Sequence, residues 1–68
     1  MIATSKLKGI IAEKGYSQRK LAKILGMSEK TFYVKMKKGV FDSDEINQMI
    51  LILEIKDPVN IFFASEGA

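Results

Sequence analysis

At 68 residues, with 47% hydrophobic side chains, the chain reads as one domain with a modest core, too apolar for disorder. It has neither cysteine nor histidine, which excludes a disulfide framework, thiolate metal sites, the usual zinc sets, His-based triads and the commonest general base. The net charge is only +3, but ten of the eleven Lys and Arg lie in residues 1–38, where the only acids are Glu13 and Glu29.

The expected elements are five short helices. The first runs from about Ser5 to Lys14, with Leu7, Ile10 and Ile11 on one stripe and Gly15 as its stop. Gly9 inside it is a weak point, worth about 1 kcal/mol against alanine. The second runs from Gln18 to Leu25 behind the N-cap Ser17, with Leu21, Ala22, Ile24 and Leu25 as its buried side and Gly26 as its end. The third runs from Glu29 to about Lys38 between the N-cap Ser28 and the stop Gly39. Its Phe32 and Met36 share one face, and Lys30, Val34 and Lys37 share nearly the opposite one. Asp42 and Glu45 have the spacing of a capping box for a fourth helix that carries Ile46, Met49, Ile50 and Leu53. Asp57-Pro58 then reads as an N-cap followed by proline at the first helical position, opening a fifth helix with Val59, Ile61, Phe62 and Phe63. Strands are not favoured, since Ile50–Ile55 would have no partner.

Two of these helices meet across Gly26-Met27-Ser28, and the second is basic, with a polar face that the core does not need. This is the plan of a helix-turn-helix over about residues 17–38. Ala22 is small where the helices must cross, Gly26 permits the turn, and Ser28 caps a helix whose free N-terminal amides suit phosphate. The basic half of the chain fits a polyanion partner; the alternative is a solvated lysine-rich surface.

The segment Ser17-Gln18-Arg19-Lys20-Leu21-Ala22-Lys23-Ile24-Leu25-Gly26-Met27-Ser28-Glu29-Lys30-Thr31-Phe32 resembles the Cro/cI-type (XRE-like) helix-turn-helix family. The shared features are Ser-Gln opening helix two, Leu-Ala in its middle, glycine at the turn, then serine and a threonine-apolar pair in helix three. Gly39, Phe41–Ile46 and the closing Ile61-Phe62-Phe63-Ala64 also agree, and this tail is similar to that of small phage-encoded members. The resemblance covers the whole chain. It implies an all-α, five-helix, lambda-repressor-like domain over residues 1–68. It further implies a sequence-specific transcriptional regulator, a phage or prophage repressor that acts by occupying a double-stranded DNA operator.

Carried over by position, the resemblance implies that Gln18 touches a phosphate and braces helix three, and that Ser17 holds the backbone through its amide or hydroxyl. Ser28 starts the recognition helix at the bases. Glu29, Lys30 and Val34 meet base edges: Glu29 at a cytosine amine, Lys30 at guanine, Val34 at a thymine methyl. Tyr33 flanks the groove, and Thr31, Lys35, Lys37 and Lys38 contact the DNA backbone. Many members carry Gln or Arg where this chain has Glu29 and Val34.

In the C-terminal third, Leu51, Ile52 and Ile55 fall off the main face of helix four, and Phe62 and Phe63 are adjacent. Spare apolar surface there suits a homodimer through the C-terminal helices, which the family also implies. The alternative is a fifth helix that folds back and buries it. The other functional reading is a protein-interaction module of the same fold, an anti-repressor or antitoxin-like subunit. No catalytic constellation is suggested by spacing, so no enzyme activity, cofactor, metal or small-molecule substrate is expected. Met49–Leu53 is the longest apolar run, far short of the roughly 20 residues that span a bilayer. Nothing resembles a signal peptide, and a cytoplasmic protein is expected.

Overall fold

A left-handed residue follows each of the first four helices and turns the chain back on itself. The computed structural model describes residues 2–63 and places there α1 (Thr4–Glu13), α2 (Gln18–Ile24), α3 (Glu29–Lys38), α4 (Ser43–Ile52) and α5 (Pro58–Phe62). The described residues contain no strand. The left-handed residues are Gly15, Gly26, Gly39 and Glu54. In each case the next amide donates to the carbonyl five residues back: Tyr16 to Ile11, Met27 to Ala22, Val40 to Lys35 and Ile55 to Ile50, at 3.0–3.1 Å. This is the Schellman closure, and it satisfies carbonyls that the helix end leaves open. Glu54 does without glycine, at φ 52°.

The helix starts are equally local. Ser17, Ser28 and Asp42 are extended, and their side chains accept the amides of Lys20, Thr31 and Glu45. The Asp42–Glu45 capping box is complete, because Glu45 Oε1 also accepts the Asp42 amide at 2.9 Å. Asp57 occupies the N-cap position before Pro58 but gives no capping bond. Its ψ of 69° keeps the carboxylate off the first-turn amides, and Oδ2 accepts from Asn60 Nδ2 at 2.6 Å instead.

These ends set the helices around one core. Leu7 and Ile11 of α1, Leu21 and Ala22 of α2, Phe32 and Met36 of α3, Met49 of α4, and Ile61 and Phe62 of α5 are buried with Ile2, Phe41, Leu53 and Ile55. The Phe32 and Phe41 rings pack at 5.5 Å between centroids, within the range of favourable tilted pairs. The Ala3 amide donates to the Ile61 carbonyl at 2.7 Å, which ties the N-terminal segment to α5.

Three packing expectations change. Ile24 is exposed: at roughly 100° per residue it lies about 110° from the middle of the arc formed by Leu21 and Ala22, whereas Leu25 returns to that arc. Ile46 and Ile50 pack against the core but are only half-buried. Ile55 is buried because the turn at Glu54 swings it back, so its position relative to the α4 face no longer applies. The adjacent pair divides as its adjacency implies, with Phe62 buried and Phe63 exposed. The last residues of the expected tail motif, from Ala64 on, lie outside the described residues.

Candidate nucleic-acid interface

The site is built on the α2–α3 corner. Ala22 is fully buried there, and its lack of a long side chain lets the helices approach. Gly26 takes φ 79°, a conformation that costs L side chains about 1–2 kcal/mol. A Cβ there would meet nothing within 4 Å, so the requirement is one of backbone conformation and not of space. Ser28 Oγ accepts the Thr31 amide at 3.1 Å and donates to Thr31 Oγ1 at 2.9 Å. Both hydroxyls therefore fix the first turn of α3.

Phe32 and Met36 hold α3 by one stripe, and the rest of the helix surface is turned outward. Glu29, Lys30, Thr31, Tyr33, Val34, Lys37 and Lys38 are all exposed. The helical rotation divides them. Lys30, Thr31, Val34, Lys35 and Lys38 line one shallow groove of about 410 Å³ together with Val40. Glu29 and Tyr33 do not line it and fall toward the other flank, while Lys37 lies outside it beside Lys30. Ser17 and Gln18 stand at the start of α2, Ser17 exposed and Gln18 half-buried. Arg19, Lys20 and Lys23 add exposed cations along α2, with Lys20 Nζ 5.7 Å from the centre of the Tyr16 ring.

Lys35 differs from the other lysines of α3. It is half-buried, and its Nζ donates to Glu45 Oε2 at 2.6 Å. Reading the sequence saw Glu45 only as half of a capping box, because pairing across ten residues leaves no periodic signal. It also missed Val40, which is exposed and has its amide held by the Lys35 carbonyl. Its only sequence mark is an apolar residue directly after the helix stop Gly39.

The chemistry available is recognition by charge, hydrogen bonding and apolar contact. Among the described residues no group of acids is placed to hold a metal ion, and no buried polar side-chain atom lacks a partner. No helix there is long and apolar enough to cross a membrane.

Residues 6–39 match the family model described as bacterial regulatory protein, Fis family, a helix-turn-helix family. The match takes in most of α1 and the whole of α2, the turn and α3. It carries the helix-turn-helix regulator reading, and neither the narrower Cro/cI-type likeness nor a phage origin is part of it. No curated protein and no solved structure matches the chain.

Proposed function

The chain belongs to the Fis family of bacterial regulatory proteins, and from that premise we propose that it is a sequence-specific repressor that occupies a double-stranded DNA operator. Its coarser character, a DNA-binding transcription regulator, comes with the family. The observation that best supports the finer reading is the outward face of α3. Lys30, Thr31, Val34 and Lys38 share a groove that the core does not use, on a helix whose first turn is fixed by Ser28.

In this reading α3 lies in the major groove. Lys30 donates to guanine, Val34 packs on a thymine methyl, and Glu29 accepts from a cytosine amine on the flank beside Tyr33. Thr31, Lys37 and Lys38 meet phosphates, joined by Ser17 and Gln18 from the start of α2. Repression follows from occupancy, as expected for a phage or prophage regulator.

The protein acts as a homodimer through its C-terminal helices. A groove of about 410 Å³ between α4 and the end of α5 is lined by Phe41, Ser43, Ile46, Asn47, Ile50 and Phe63. None of these is charged, in a chain where 28% of residues are. A twofold contact sets a patch against its own copy, so a neutral apolar patch avoids like-charge repulsion. The same groove favours the second reading, a protein-interaction module in which the basic face is incidental.

Selection from random-sequence duplexes tests the choice. An enriched palindrome, lost with Lys30→Ala, is expected, and its half-site spacing reports the dimer. Retention no better than a protein-free control refutes operator binding and leaves the interaction module.

A further inference from the structure

The lysine in the middle of the recognition helix is already occupied. Lys35 Nζ lies 2.6 Å from Glu45 Oε2, and both side chains are largely withdrawn from solvent, at 31% and 13% exposure. The other oxygen of the same carboxylate accepts the Asp42 amide, while Asp42 Oδ1 accepts the Glu45 amide. One carboxylate thus joins three elements: the second turn of α3, the loop at Asp42 and the first turn of α4. Lys30, Lys37 and Lys38 on the same helix are exposed and enter no ion pair among the described residues.

We propose that Lys35 is a positioning residue, which sets the orientation of α3 against α4 through Glu45 and contributes no phosphate contact. Two features of the pair point this way. The carboxylate is itself immobilised by the capping box, so the ammonium is held by a fixed partner and not by a mobile surface acid. If Lys35 swung from Glu45 to a phosphate, the half-buried carboxylate would lose its partner. Lys35 also lines the recognition groove with Lys30, Val34 and Lys38, so a change in its tether changes the groove wall. The inference rests on the reading of α3 as the DNA-facing helix.

The test measures binding to a selected duplex and to a random one over a salt series. The proteins are wild type, Lys38→Gln, Lys35→Met, Glu45→Gln and the Lys35→Met/Glu45→Gln double variant. Glutamine at 45 retains an oxygen for the Asp42 amide while removing the charge that holds Lys35. Methionine at 35 keeps the aliphatic stem, and circular dichroism confirms that each variant is folded.

Lys38→Gln is expected to lower the slope of log K against log salt by about 0.9, the loss of one phosphate contact. Lys35→Met is expected to leave that slope at the wild-type value. It reduces the preference for the selected duplex over the random one by roughly tenfold, a size usual for coupled contacts. Glu45→Gln gives the same loss of preference, and the double variant falls no further. A slope reduced in Lys35→Met, or an affinity raised in Glu45→Gln because a cation has been released, overturns the positioning role while leaving DNA binding intact. A wild-type protein with no salt-dependent duplex binding overturns the DNA reading itself, and the positioning role with it.

Discussion

Replacing Glu54 by glycine should make the protein more stable, although it removes a charge and an ion pair. Glu54 holds φ 52° at the end of α4, where left-handed backbone costs an L residue about 1–2 kcal/mol. Glycine removes that strain but gains freedom in the unfolded chain, a loss of about 0.5–1 kcal/mol. The substitution also deletes the contact of Glu54 with Lys14, 3.7 Å long and with the glutamate 79% exposed. An exposed pair of that length contributes little. The net gain is about 0.5 kcal/mol, or roughly 2–4 °C in Tm for a domain of this size. Gly26→Ala is the reciprocal experiment. Its Cβ meets nothing within 4 Å, so only the backbone term acts, and a loss of about 1 kcal/mol is expected. Urea unfolding followed by circular dichroism measures both, with Lys14→Met isolating the ion pair. If Glu54→Gly is less stable than wild type by more than the Lys14→Met loss, the strain argument at this helix end is wrong.

Gly9 lies within α1 and is exposed, with no atom within 4 Å of an added Cβ; Gly9→Ala should raise stability by up to about 1 kcal/mol, read as a shift of the urea midpoint at constant m. Ser28→Ala removes the acceptor for the Thr31 amide and should cost about 1 kcal/mol in the same assay. Phe32 is fully buried and packs on Phe41, so Phe32→Ala should lose about 3–5 kcal/mol; a cooperative melt near the wild-type temperature would contradict its place in the core. Phe63→Lys changes an exposed side chain and should leave the melt unchanged while reducing the mass of the duplex-bound species to one protomer in sedimentation; a complex still holding two protomers would remove Phe63 from the dimer contact.

The helices were legible in the sequence because their signals are local. A hydroxyl or carboxylate three residues before an amide, a glycine after the last turn and a proline at the first position each act within one turn of backbone. Ser17, Ser28, Asp42 and Gly39 therefore stand in their expected roles, and α3 has the bounds its caps imply. The outward set of α3 was legible too, since Phe32 and Met36 fix one face and the helical rotation fixes the others. Only the tertiary structure decided what depends on residues far apart in the chain. It exposed Phe63, buried Ile55 behind the turn at Glu54, and set Val40 on the wall of the recognition groove. It also took Lys35 out of the row of free cations by bringing Glu45 to it from the next helix. Periodicity shows which way a side chain leaves its own helix, but the position of the neighbouring helix determines what that side chain meets.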